Sequence, residues 1–83
     1  MIRPNAEGTL WIYVVYDKTT RDFPGRYVVR PHVTVLHNGT TLTLRIYRLY
    51  DTLDDVRKAC LDYGLTRLER HPDDDPVILE TWL

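Results

Sequence analysis

The chain has 83 residues, of which 43% are hydrophobic and 28% are charged, and its formal net charge is −1. This length suits one domain, and the composition excludes a disordered, repetitive or collagen-like chain. The longest apolar run, residues 10–16, is far shorter than the ~20 residues of a membrane-spanning helix, and residues 1–9 do not show the charged segment and small-residue cleavage site of a signal peptide. We expect a single domain over residues 1–83, located in the cytoplasm, with residues 1–8 as a flexible arm.

The first half of the chain predicts three strands. Residues 9–16 are β-branched and aromatic with apolar side chains at both parities, which is typical of a central strand covered on both sides. The loop that follows ends in Pro24-Gly25, the central pair of a type II turn. Residues 26–35 and 41–47 then alternate apolar and polar side chains, which predicts two strands that each bury one face.

The link between these two strands predicts their pairing. Asn38 and Gly39 indicate a two-residue type I′ turn, in which both residues have positive φ. Such a turn places Val35 opposite Leu42 on the apolar face. Pro31 has no N–H to donate, so we expect an edge strand or a bulge at that point.

On the polar face, the same register assembles a group that we call the polar cluster. It consists of Arg30, His32, Arg45 and Tyr47. A basic sheet face with an aromatic ring is how several proteins hold single-stranded nucleic acid. The face also suits an acidic protein or the acidic half of a second copy, because residues 1–50 carry seven basic and three acidic side chains, and residues 51–83 carry four and nine. We take the cluster as the candidate partner-binding site.

The second half of the chain predicts a helix between strands. Thr52 is a good N-cap, two aspartates occupy the first turn, and Gly64 ends the helix. The apolar stripe of this helix consists of Leu53, Val56, Cys60 and Tyr63. Residues 65–69 and 77–83 predict two short strands. The order β-β-β-α-β-β predicts an α+β fold, in which an antiparallel sheet of about four or five strands carries one helix.

The residue pattern gives little support to catalysis or metal binding. Cys60 lies on the apolar stripe, where a buried thiol is inert. His37 in a turn and His71 in a loop have no nucleophile and orienting acid at a recognisable spacing. The consecutive aspartates at 73–75 lack the alternating ligands of a calcium loop and indicate a solvated turn. We predict no catalytic, cofactor-binding or metal-binding residues, and no enzyme.

The two tryptophans leave a choice open. Trp11 lies on the first predicted strand, and Trp82 lies on the last, where it shares a face with Ile78 and with the intervening Glu80. Each tryptophan is either a core anchor or an exposed contact, and the core is favoured for Trp82. Two exposed tryptophans would indicate an interface, because tryptophan is enriched in binding hot spots.

Three segments of the chain are similar to those of a known group. They are residues 22–30 (DFPGRYVVR), 51–57 (DTLDDVR) and 73–83 (DDDPVILETWL). Together they resemble a group of short, uncharacterised bacterial proteins, some of them phage-associated. The resemblance covers roughly residues 11–83 and implies a shared fold and a bacterial source. It implies no activity and assigns no functional residue.

Our first hypothesis for function is a non-enzymatic protein-protein interaction module. Its partner is an unknown protein or a second copy in a homodimer, bound through a sheet edge or through the arginine-bearing face of the hairpin. The alternative is a nucleic-acid-binding protein that uses the basic hairpin face. A third and weaker hypothesis is an enzyme that uses His32 beside Arg45, which requires a pocket.

Overall fold

The computed structural model describes residues 8–69 and 75–83. Within these ranges the elements are β1 (Thr9–Tyr16), β2 (Tyr27–Val35), β3 (Thr40–Thr43), β4 (Arg48–Tyr50), α1 (Leu53–Asp62), β5 (Arg67–Leu68) and β6 (Ile78–Trp82). The strands form one antiparallel sheet in the order β3-β2-β1-β6-β5, and β4 also pairs with β2. The α+β prediction is confirmed. The predicted arm, apart from Gly8, lies outside the described residues, as do His71 and the aspartates at 73 and 74.

The core lies between the sheet and α1. β1 supplies Tyr13 and Val15, α1 supplies Val56 and Cys60, and β6 supplies Trp82. The side chains of Val15, Val56 and Cys60 are completely buried, and Trp82 is only 4% exposed. Removal of a side chain of this size from water stabilises the fold by about 1.5–3 kcal/mol. Trp82 is therefore a core anchor, as the sequence favoured.

β1 is the central strand that its two-sided apolar pattern predicts. It pairs with β2 along one edge and with β6 along the other. Val14 is buried although it points to the face opposite Tyr13 and Val15. Trp11 is partly buried near the start of the strand, and its indole N–H donates to Thr9 Oγ1 at 3.2 Å.

Local hydrogen bonds fix both ends of α1. The Thr52 side chain accepts the N–H of Asp55 at 3.1 Å, which confirms Thr52 as the N-cap. The helix ends at Asp62, and the N–H of Leu65 returns to the carbonyl of Cys60 at 3.0 Å across Gly64. Tyr63, which the sequence places on the apolar stripe, lies beyond the helix and is exposed.

The turn between β2 and β3 differs from the prediction. It has four residues, 36–39, and its only positive φ belongs to Gly39, at 70°. The type I′ prediction is wrong because Asn38 makes a local hydrogen bond instead. Its side-chain oxygen accepts the N–H of Thr40 at 2.9 Å, while the carbonyl of Val35 accepts the N–H of Gly39 at 2.8 Å.

The longer turn moves the register by two residues. Leu42 pairs with Val33 rather than with Val35. Side chains alternate with a period of two along a strand, so this shift leaves every side chain on its predicted face. Each β3 side chain therefore points to the predicted side of the sheet, but the predicted partners are wrong. The prediction that this strand buries one face is also wrong, because all four β3 residues are exposed: β3 is the last strand of the sheet on this side.

A bulge opposite Pro31 ends the third predicted strand at Thr43, four residues earlier than predicted, and a further short strand, β4, follows the bulge. Residues 44–47 lie between the last pair of β3 and the first pair of β4, and face only Arg30 and Pro31 on β2. The N–H of Leu44 donates to the carbonyl of Pro31 at 3.1 Å, and Pro31 has no N–H to return. Beyond the bulge, Arg48 pairs with Val29, which is the register that extends from the predicted pair of Val35 and Leu42. The expectation of an irregularity at Pro31 is confirmed.

Candidate functional site

The bulge brings two members of the polar cluster together. The guanidinium carbon of Arg30 lies 5.6 Å from the centroid of the Tyr47 ring, within the range of a cation-π contact. Phe23, from the loop between β1 and β2, contacts the same ring at a centroid distance of 4.6 Å. The sequence predicted Arg30 beside Tyr47 through strand pairing, but the contact forms because residues 44–47 leave the strand.

His32 belongs to a separate hydrogen-bonded group. Its Nε2 lies 3.0 Å from the hydroxyl of Tyr16, and its Nδ1 lies 3.4 Å from Oγ1 of Thr43. Burial lowers the pKa of His32, and the positive charge of Arg30 lowers it further. A neutral imidazole donates from one nitrogen and accepts with the other. Both nitrogens of His32 are therefore used within the sheet.

Arg45 does not join His32, so the predicted pairing of these two residues is wrong. His32 faces Thr43 because the register has moved by two residues. Arg45 lies in the bulge and is exposed. In the described part of the chain, no hydrogen bond or ion pair involves it. The polar cluster is therefore not one compact site: Arg30 and Tyr47 form one contact, His32 forms another, and Arg45 projects separately.

An open cleft of about 240 Å³ lies between the loop that precedes β2 and the polar face of the sheet. The cleft is lined by Tyr16, Thr20, Asp22, Phe23, Val28, Arg30 and Thr43. The loop turns at Gly25, whose φ of 82° matches the predicted type II turn. The lining combines three hydroxyl groups, the carboxylate of Asp22 and the guanidinium of Arg30 with two apolar side chains. Tyr16 is a poor nucleophile there, because burial raises its pKa, although Arg30 opposes this effect and Asp75 adds to it.

The outer side of β3 is a free strand edge. The bond from Leu44 to Pro31 fixes the hydrogen-bonding parity, so that Thr40 and Leu42 bond toward β2. The backbone N–H and C=O groups of Thr41 and Thr43 consequently point away from the sheet. Among the described residues, no strand pairs with this side of β3.

Large exposed apolar side chains surround this strand. They are Leu36, Leu42, Ile46 and Tyr47, all at 41% exposure or more. We call residues 36–47, with the outward backbone of β3, the β3 edge. Exposed apolar side chains that adjoin unpaired backbone groups are typical of an interaction surface.

Sequence reasoning missed a buried ion cluster at Glu80. This carboxylate is only 7% exposed. Nε of Arg57, on α1, donates to both of its oxygens at 3.2 Å, and Nη1 of Arg67, on β5, donates to one at 3.1 Å. The available signal was an acidic residue on the core-facing side of a strand. The cluster ties the helix to the sheet, so its role is structural.

The structure places Cys60 in the core, as predicted. Burial raises the pKa of its thiol to about 11, and the charge of Glu80 acts in the same direction. The thiolate form, which is the nucleophile and the metal ligand, is therefore scarce at neutral pH. Residues 8–69 and 75–83 contain no group of three potential metal ligands and no helix with the length and apolar character of a membrane span.

Comparison of the chain with protein-family models, curated proteins and solved structures found no match in any of the three. The similarity to short bacterial proteins therefore stays a prediction.

Proposed function

We propose that this chain is a non-enzymatic protein-protein interaction module that binds its partner through the β3 edge. The observation that carries the proposal is the outward-pointing backbone of Thr41 and Thr43, with exposed apolar side chains around it. Such an edge accepts an added strand: main-chain hydrogen bonds provide affinity, and side chains on alternate positions provide specificity.

The contacts of the polar cluster favour a protein partner over nucleic acid. Proteins that bind single strands use exposed rings as stacking platforms beside clustered basic residues. Here the ring of Tyr47 is 42% exposed, but only one basic side chain, Arg30, lies beside it, and Arg45 lies apart, so basic residues are not clustered around the ring. The net charge of −1 adds no general attraction for phosphate.

The same geometry disfavours an enzyme. A general base needs a nitrogen that faces its substrate, and both nitrogens of His32 already face partners within the chain. Cys60 is buried with a raised pKa, so it offers no activated nucleophile.

The test blocks the outward N–H of β3 while keeping the sheet intact. Thr41→Pro removes that N–H and leaves the bonds between β3 and β2 in place, because the N–H of Thr41 points away from β2. Thr41→Ala is the matched control: both variants lose the hydroxyl contact with Thr34 at 2.9 Å, but only the proline loses the N–H. Circular dichroism checks that both variants fold.

Each tagged variant is used for pull-down from lysate of the source organism, once with and once without nuclease treatment. An untagged copy of the same chain is co-expressed, so that self-association is detected as well. We expect the wild type and Thr41→Ala to retain the same protein, and Thr41→Pro to lose it. Equal retention by Thr41→Pro, or a bound fraction that disappears with nuclease, would contradict the proposal.

A further inference from the structure

The occupant that the β3 edge fits is a second copy of the chain. We infer that two copies pair β3 with β3 in an antiparallel manner, about a two-fold axis that passes beside Leu42. This inference rests on the proposed use of the β3 edge for binding. It adds the identity of the partner and the register of the pair.

Hydrogen-bonding parity selects this register. Thr41 and Thr43 are the β3 residues whose backbone groups face outward. With the axis at Leu42, Thr41 lies opposite Thr43 of the second copy, and Thr43 lies opposite its Thr41. Each such pair exchanges both N–H···O bonds, so every outward backbone group of the strand is used. If the axis passes beside Thr41 or Thr43 instead, only that residue bonds to its own copy. The other outward residue then has no partner within β3.

The side chains support the same arrangement. Leu42 is 53% exposed and shares a face with Val33, its neighbour on β2, which is buried. With the axis at Leu42, the two Leu42 side chains meet at a non-hydrogen-bonded position, where side chains approach most closely. The apolar layer of each sheet then continues across the junction, and Leu42 loses its exposure.

Charges do not oppose the pairing. The two basic side chains that follow β3 are Arg45 and Arg48. Both lie beyond the paired residues of β3, and β3 itself (Thr40–Thr43) carries no charged side chain. Like charges directly opposite each other would destabilise the pair, and the register avoids them.

The size of the contact sets the expected affinity. A four-residue strand with a few flanking side chains is at the low end of protein interfaces, below about 1,200 Å² in total. We therefore expect reversible dimers with a dissociation constant of roughly 1–100 μM. Both copies use the same surface, so the assembly closes as a dimer.

Cross-linking tests the register directly. Leu42→Cys places two thiols opposite each other with a Cα separation of about 4.5 Å, which a disulfide spans. The native Cys60 is fully buried and does not compete. Leu61→Cys, on the outer side of α1 at 64% exposure, is the matched control for random collisions. Both variants are oxidised in a glutathione buffer, and sedimentation equilibrium follows the wild type, Thr41→Pro and Thr41→Ala.

We expect Leu42→Cys to cross-link at least about tenfold faster than Leu61→Cys, and Thr41→Pro to raise the dissociation constant about tenfold while Thr41→Ala leaves it within about twofold. A cross-linking rate equal to that of Leu61→Cys, or a monomeric wild type at about 1 mM, would overturn self-pairing. If Thr41→Pro still loses a different captured protein, the β3 edge keeps its proposed function and only the identity of the partner is wrong. If Thr41→Pro loses nothing, both proposals fail.

Discussion

Replacement of Glu80 by glutamine tests the buried ion cluster that joins α1 to the sheet. Glu80 accepts from Arg57 and Arg67 at 3.1–3.2 Å, while the two arginine side chains are 41% and 55% exposed. A hydrogen bond to a charged group contributes about 1.5–3 kcal/mol. The arginines regain water when the charge is removed, so we expect a net loss of about 2 kcal/mol, rather than the larger penalty of a fully buried pair.

In a domain of this size, a loss of 2 kcal/mol corresponds to a melting temperature lower by about 8–16 °C. Urea unfolding measures the free energy, with circular dichroism and tryptophan fluorescence as independent probes. Glu69→Gln makes the same chemical change at an exposed position and should stay within about 0.5 kcal/mol of the wild type. If Glu80→Gln unfolds with the wild-type free energy, the cluster does not stabilise the helix on the sheet, and our account of a buried charge in this core is refuted.

Two further predictions concern titratable groups whose pKa burial shifts, the half-buried His32 and the fully buried Cys60. Folding lowers the pKa of His32, so the unfolded chain binds the proton of this imidazole more tightly than the folded chain does. The folded state is therefore most stable above about pH 6.5, where His32 is neutral in both states. This contribution to the free energy of unfolding is lost as the pH falls toward the folded pKa. We expect His32→Gln to flatten this part of the stability-pH curve from urea unfolding, and parallel curves for the variant and the wild type would contradict the assignment. The pKa of Cys60 is raised to about 11, so a thiol reagent at pH ~8 should modify the native chain at least about 100-fold more slowly than the urea-unfolded chain, and equal rates would show that the thiol is exposed.

The elements that local chemistry determines were predictable from the sequence. The cap at Thr52 needs only one hydroxyl and the N–H three residues later, and the turn at Gly25 needs only a residue that accepts positive φ. β1 was identifiable because its apolar residues occupy both parities, as a central strand requires. These features depend on neighbours in sequence, which a single chain displays directly.

The register of the hairpin was not predictable from its hydrophobic pattern. A shift by one residue would have exposed the apolar face, so the pattern excludes it, but a shift by two leaves the pattern unchanged. Leu42 finds an apolar partner in Val33 as readily as in Val35. The decision belongs to the turn, where the side chain of Asn38 bonds to Thr40 and lengthens the loop. The bulge at Pro31 then restores the predicted register for β4.

The ion cluster was not predictable for a different reason. The sequence places Glu80 on the core-facing side of its strand, but not beside Arg57 or Arg67, which belong to other elements. A buried carboxylate is stable only with partners, and tertiary packing alone supplies them. The same holds for the candidate site. The sequence predicted that Arg30 and Tyr47 lie near each other, and they do. It could not predict that Arg45 lies apart from His32, because that separation follows from a register that the hydrophobic pattern did not determine.

Pro31 connects the fold to the proposed function. Because Pro31 has no N–H, an uninterrupted ladder between β2 and the next strand would lack one hydrogen bond at this position. The bulge there therefore removes few hydrogen bonds from the sheet. It shortens β3 to four residues, within which only Thr41 and Thr43 have outward backbone groups. A longer flat edge would accept strands in several registers and favour aggregation. The short edge accepts one register well, which is the property that a closed dimer requires of a surface that pairs with itself.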